Sequence, residues 1–195
     1  KYFQNIKMPK VYITYFVHGT TTDNENGIVT GWAPGKLSEL GIRQSLELKE
    51  LINDKKFDVV FCSDLKRAVD SANLTFGSSV SIIQDHRLRE CDYGALTRAS
   101  SKTVVPLDIA CINKQFPRGE SYREVEHRIR DFLDFLVREY PEKHVAIVAH
   151  RAPQLALDVI TKGKTWVQAI QEDWRHKEPK EWKPGWDYIY SKNEL

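Results

Sequence analysis

No apolar run in this chain approaches the roughly 20 residues of a membrane-spanning helix, so no segment is a candidate membrane span. Cysteine is scarce. Cys62, Cys91 and Cys111 are odd in number and widely spaced, with no CxxC pair, so zinc and dithiol redox sites find no support. Cys62 lies in an apolar run and is expected in the core, and a reducing, cytoplasmic setting is expected. An excess of one charge is also lacking: 29 basic against 27 acidic side chains give a formal net charge of +2. That balance predicts neither nucleic acid nor an anionic membrane as partner, and leaves any attraction for anions to a local cluster. The first residues are polar and show no signal peptide. Residues 1–10 read as a flexible start, added to the natural chain or left from a longer one. Internal repeats and low-complexity segments are absent.

The chain has 195 residues, enough for one domain with a good-sized core, and residues 1–195 are read as a single domain. Strand and helix signals alternate, which argues for a layered α/β fold. Strands are expected at 11–17, 59–62, 80–83 and 145–149, with an edge strand at 187–190. Helices are expected from Ser38 to Asn53, with Leu40, Leu46, Leu48, Leu51 and Ile52 as the apolar stripe, and from Asp64 to Thr75, with Ser63 as N-cap. A short helix is expected around Pro106 to Lys114. Ser121 and Glu124 form a capping box opening a helix with Val125, Ile129, Phe132, Leu133 and Leu136 at helical spacing. A last helix follows Pro153. Residues 164–195 read as an irregular, Trp-rich extension in which Trp166, Trp174, Trp182 and Trp186 pack the tail, with Trp182 or Trp186 as a cover for the site. His86, His127, His144 and His176 stand in polar contexts and are expected at the surface.

Four short segments carry chemistry, each at or near a strand end. They are His18-Gly19-Thr20-Thr21, Ser63 to Ala68, Leu88 to Gly94, and Val148-Ala149-His150. Open α/β sheets place their sites at the carboxyl ends of strands. A neutral imidazole can attack phosphorus and carry the phosphoryl group. A second imidazole, the fork of Arg67 and a helix N-terminus suit a phosphate dianion. Glu90 can pass a proton to a leaving alkoxide and take one from water. No metal is needed where such groups stabilise the charge.

In these motifs the chain resembles the histidine phosphatase superfamily, the phosphoglycerate mutase-like fold. That family opens on a strand and Arg-His-Gly-x-Thr, where this chain has Val17-His18-Gly19-Thr20-Thr21. A polar loop with Asn24, the pair Gly31-Trp32, and Leu37-Ser38 through Gly41 to Gln44 follow in family order. Ser63 to Ala68, Leu88 to Gly94, Gly119-Glu120-Ser121 and His150 complete the match, which runs from about 11 to 160. The resemblance implies a three-layer α/β/α sandwich with a mixed, mainly parallel central sheet. It implies His18 as the phosphorylated nucleophile, Arg67 and His150 as holders of the phosphoryl group, and Glu90 as proton donor. Asn24 and Thr30 would lie near the substrate, a small phosphorylated metabolite or phosphate itself, with no metal and no cofactor.

Val17 departs from the pattern, because relatives carry Arg there. Removing a charged bidentate interaction from a buried anion site costs roughly 3 kcal/mol, a factor of about a hundred or more. Arg151 stands where many relatives carry a small residue and is the expected partial replacement for that charge. Two readings stay open: a metal-independent phosphomonoesterase impaired by Val17, and a natural or engineered member that has lost or changed its turnover and acts as a binding domain. A phosphoglycerate mutase has less support, since mutases of the family tend to carry an Arg-rich insertion and residues 91–118 contain only Arg98 and Arg118.

Overall fold

The computed structural model describes residues 8–78, 80–176 and 185–192. Among them the chain forms β1 (Lys10–Val17), α1 (Thr22–Glu25), α2 (Glu39–Leu51), β2 (Val59–Cys62), α3 (Lys66–Phe76) and β3 (Ile82–Gln84). The second half forms α4 (Ser101–Val104), α5 (Tyr122–Glu139), β4 (His144–Ala149), α6 (Arg151–Lys162), α7 (Trp166–Gln171) and β5 (Trp186–Ser191). The strand order is β3-β2-β4-β1-β5, parallel except for β5, which runs antiparallel along β1.

Alternation along the buried strands sorts their side chains onto two faces. Val11, Ile13, Tyr15, Phe61, Val145 and Ile147 face the larger core, which α5, α6 and α7 cover with residues such as Val125, Ile129, Leu133, Leu155 and Trp166. Phe16, Val60, Cys62, Ala146 and Val148 face the smaller core beneath α2 and α3, with Leu48, Ala72 and Phe76. The result is the expected three-layer sandwich with a mixed, mainly parallel sheet. No helix among the described residues is long and apolar enough to cross a membrane.

β1, β2, β4, β5 and the capping box of α5 lie about where the sequence puts them, while β3 falls at Ile82–Gln84 rather than 80–83. Other expectations need correction. Leu40, Leu46 and Leu51 of α2 are exposed, and the helix instead buries Gly41, Gln44, Ser45 and Leu48. Its inner face meets polar backbone around His18 as well as the apolar core. Ser63 does not cap α3. The cap position is Leu65, and Ser63 Oγ accepts from the Leu65 N–H at 3.2 Å in the preceding turn. The helix expected at 106–114 breaks into two 3-10 turns, 105–107 and 110–112, after α4. Lys10, within the expected flexible start, already belongs to β1.

The tail is more ordered than its composition suggests. Trp166 is buried on α7, with Nε1 donating to Glu126 Oε2 at 2.7 Å, and β5 closes the sheet edge. Trp182 lies outside the described residues. His86, His127 and His176 are exposed as expected. His144 is half-buried, its Nε2 at 2.8 Å from Thr14 Oγ1 and its ring against Phe57.

Candidate active site

β1 and β4 lie side by side in parallel, with Val17 opposite Ala149. Their next residues, His18 and His150, therefore leave the sheet together, ring centroids 5.0 Å apart and planes at 62°. The chain after β1 runs to α2 on one face, and the chain after β4 runs to α6 on the other. A crevice opens where such connections diverge. Tyr15 fixes the pair from below: its hydroxyl donates to the His150 carbonyl at 2.6 Å and accepts from the His150 N–H at 2.9 Å. The His18 N–H donates to the Ala149 carbonyl at 3.0 Å.

Polar contacts from two helices clamp the His18 turn. The Gly19 N–H donates to Ser71 Oγ at 2.9 Å, and Ser71 donates to the Arg67 carbonyl at 2.8 Å. Gln44 Oε1 accepts from both the N–H and the hydroxyl of Thr20, at 2.8 and 2.9 Å. Ser38 caps α2 through the Gly41 N–H and donates to the Thr20 carbonyl at 3.2 Å. Gly41 lets the two backbones touch: a Cβ there would collide with the Thr20 carbonyl. Ser38, Gly41 and Gln44 thus form one device for holding His18. Gly41→Ala is expected to destabilise the fold by about 1–3 kcal/mol, as overpacking does. Thermal unfolding should show a fall of several degrees, and an unchanged midpoint would contradict the clamp.

His18 Nδ1 stands 2.7 Å from the Gly19 carbonyl. A carbonyl only accepts, so Nδ1 carries the proton and Nε2 keeps a lone pair. Arg67 Nε–H points at that atom from 3.3 Å. Burial, and then the Arg67 charge, pull the His18 pKa down to about 3. Burial, Arg67 and His18 hold His150 well below the usual histidine range. Both rings are therefore neutral near pH 7. Arg67 is itself buried and braced by the loop after α1, with Nη2 donating to the Gly31 carbonyl at 2.8 Å and Nη1 to the Ala33 carbonyl at 3.4 Å. The turn that offers the first carbonyl has Gly31 at φ +54°.

Glu90 reaches the rim from the segment after β3. Its Oε1 accepts from the Cys91 and Ala152 N–H groups at 2.9 and 3.0 Å, and its Oε2 from the Arg151 N–H at 3.2 Å. It thereby serves the N-terminus of α6, where His150 offers no side-chain cap. Arg128 of α5 pins this segment by donating to the carbonyls of Arg87, Arg89 and Glu90 at 2.6 to 2.9 Å, and its Nε lies 3.0 Å from Glu120 Oε1.

Arg151 does not direct its guanidinium to the imidazole pair. Asp173 takes it at 2.6 Å and Asp108 at 2.9 Å, with the Tyr122 hydroxyl at 3.1 Å. Its charge is matched by two carboxylates, against the expectation that it serves in place of an arginine at position 17. Thr30 is buried and donates to Asp23 Oδ2 at 2.9 Å. Asn24 spends its Oδ1 on the Thr21 N–H at 3.0 Å, completing the capping box of α1.

A cleft of about 600 Å³ has Val17, His18, Arg67, Glu90, Thr30 and Asn24 among its walls, while His150 is fully buried beside His18. Among the described residues no group of three His, Cys, Asp or Glu is placed to hold a metal ion. Sequence reasoning misses Tyr15, Arg128 and Arg175, the last of which also lines the cleft. Tyr15 and Arg128 act through backbone groups, which leave no spacing signal in a single sequence. Arg175 sits in the tail, beyond the matched motifs.

The fold is a three-layer α/β sandwich that pairs His18 and His150 at the carboxyl ends of adjacent parallel strands, beside Arg67 and Glu90. A sequence profile of the histidine phosphatase superfamily (branch 1) matches residues 15–161, and the chain belongs to that family. Fructose-2,6-bisphosphatase TIGAR of Xenopus tropicalis is 33% identical over 141 residues, covering 67% of this chain and 51% of that protein. A 2,3-bisphosphoglycerate-dependent phosphoglycerate mutase of Lactococcus lactis is 38% identical over 96 residues, 46% of this chain and 40% of that protein. The chain thus spans about half the length, or less, of these curated relatives. A phosphoglycerate mutase structure from Bacillus anthracis shares the fold at TM-score 0.73 and 18% identity, over 96% of this chain and 91% of that one. A mycobacterial glucosyl-3-phosphoglycerate phosphatase, solved with VO3, gives TM-score 0.70 and 26% identity over 82% and 86%.

Proposed function

We propose that this chain is a metal-independent phosphomonoesterase that passes the phosphoryl group through His18. The observation that carries the reading is the placement of the His18 ring, with Nδ1 2.7 Å from the Gly19 carbonyl and Nε2 facing the Arg67 Nε–H at 3.3 Å beside His150. In the first step the Nε2 lone pair attacks phosphorus. A P–N bond forms, the ester P–O bond breaks, and the leaving alkoxide takes a proton from Glu90. In the second step Glu90 takes a proton from water, the water oxygen attacks phosphorus, and the P–N bond breaks to return neutral His18 and phosphate. Glu90 Oε2 bears one long hydrogen bond of 3.2 Å and keeps a lone pair for that proton. Arg67 and His150 lie against the phosphoryl oxygens, where charge develops.

The cleft has the size of a small-molecule site, so the substrate is a small phosphorylated metabolite. Two of the relatives bear the names of phosphatases. The three cysteines are free and buried, which fits a reducing setting. Residues 1–195 act as one domain in this reading.

Phosphate release from an aryl phosphate, with a chelator present, tests it directly. The chain is expected to turn over and a His18→Ala control to be inert. Two guanidiniums besides the paired Arg151, those of Arg67 and Arg175, already line the cleft. Val17→Arg should therefore raise kcat/KM about tenfold, less than the roughly hundredfold that restoring a wholly absent charged interaction would return. If neither the chain nor Val17→Arg released phosphate from a panel of phosphomonoesters, the non-catalytic binding reading would take its place.

A further inference from the structure

Four buried polar side-chain atoms have no hydrogen-bond partner among the described residues: His150 Nδ1 and Nε2, Trp174 Nε1 and Arg175 Nη2. Native folds leave few such atoms, and each asks for an explanation. Trp174 and Arg175 line the same cleft as His18, and the His150 and His18 rings are neighbours. The indole and guanidinium atoms can only donate. Unmet donors gathered beside a nucleophile are the counterpart of an anion rich in acceptor oxygens.

We infer that Arg175, with Trp174 Nε1 beside it, is a phosphate-binding residue that supplies the guanidinium missing at Val17. This rests on the phosphatase reading and names a ligand for the same site. The segment is held in three ways. Asp173 accepts from the Arg175 N–H at 3.1 Å and from Nη1 at 2.8 Å, and Gln154 Oε1 accepts from Nη1 at 3.3 Å, so Nη2 is left unused. The guanidinium lies over the Trp174 ring, 4.8 Å from its centroid. Trp174 in turn packs on Trp186 of β5, centroids 6.3 Å apart, and Trp186 pairs in register with Tyr15, which fixes His150.

Electrostatics agree with this placement. Burial pushes Asp173 up, but Arg175 and Arg151 together bring it down to about 2, so one carboxylate serves two guanidiniums. The charge of Arg175 also reaches His18, after burial and Arg67, in holding that ring neutral. Its fork comes from the C-terminal side of the cleft, whereas an arginine at 17 would come from the end of β1. Two different chain positions can thus present the same chemistry to one phosphate.

Inorganic phosphate, titrated calorimetrically at low ionic strength, is the probe. Arg175→Gln is expected to weaken binding by about tenfold or more, the scale of a charged hydrogen-bonded contact. Arg175→Lys keeps a cation for Asp173 but removes the fork, and should fall between. The double variant Val17→Arg/Arg175→Gln should regain most of the affinity, which a merely structural Arg175 would not allow. Unchanged binding in Arg175→Gln, alongside abolished binding in Arg67→Gln, would overturn this inference and leave the phosphatase reading standing. A loss in Arg175→Gln without rescue by Val17→Arg would overturn it as well. Failure of the parent chain to bind phosphate would overturn both.

Discussion

His18→Ala is expected to lower phosphate release by about four orders of magnitude or more, the scale seen when a nucleophile is removed. The reason is the fixed tautomer. The Gly19 carbonyl holds the Nδ1 proton, so Nε2 is the sole lone pair of the ring, and Arg67 and His150 flank it. Of the other imidazoles, His176 also lines the cleft but has its Nε2 3.3 Å from Arg151 Nη2, and His150 is fully buried. The backbone contacts that shape the turn belong to Gly19 and Thr20, through Ser71 and Gln44, and they survive the substitution. Circular dichroism should therefore match the parent while the phosphate assay reads background. Appreciable release by the alanine variant would show that the phosphoryl group never passes through this residue.

The second large effect runs in opposite directions for stability and activity. His150→Leu should raise the melting temperature while cutting turnover by roughly a hundredfold, the loss of one charge-stabilising group. Both ring nitrogens of His150 are buried without partners among the described residues. Unpaired buried groups cost about 1–3 kcal/mol each, and at this chain length 1 kcal/mol moves the midpoint by about 2–4 °C. A rise of several degrees is expected at neutral pH.

The pH dependence adds a second check. His18 and His150 are both depressed in the folded chain, His18 to about 3. An unfolded histidine titrates near 6.5, so the unfolded state takes up protons that the folded state refuses. The His18 contribution is complete above about pH 6.5 and is lost as pH falls from there toward 3, at up to about 1.4 kcal/mol per pH unit, and His150 acts in the same direction. Urea unfolding at pH 7.5, 6 and 5 should show a shallower acid decline for His150→Leu than for the parent. A lower melting temperature with an unchanged pH slope would contradict the burial of an unsatisfied imidazole.

Much of the site is legible in the sequence because its parts sit at strand ends. His18 and His150 follow apolar runs whose lengths mark them as strands, and adjacency of those strands does the rest. The pattern from Ser38 through Gly41 to Gln44 is visible as spacing, but its purpose, gripping the Thr20 backbone, is not. Arg151 shows the limit most clearly. Its neighbour in sequence is the site histidine, yet Asp108 and Asp173, distant along the chain, draw its guanidinium away. Ion pairing between remote segments leaves no local trace. The tail is opaque for a similar reason: β5 has an edge-strand pattern, but the role of Trp174 and Arg175 depends on which strand it joins. The α2 stripe misleads because apolar count does not fix burial, and the helix turns Gly41, Gln44 and Ser45 inward.

The strand order has a consequence for how the chain is made. Of the described strands β1 leaves a ribosome before the others, yet its two sheet neighbours are β4 and β5, at 144–149 and 186–191. At about 5–20 residues per second, β1 waits on the order of ten seconds before β4 exists to pair with it. During that interval Val11, Ile13, Tyr15 and Phe16 have no sheet to enter. β2 and β3, neighbours in both sequence and space, can meet much sooner. The strand that carries His18 is thus the one most dependent on late arrivals and on whatever shields nascent apolar segments in the cell.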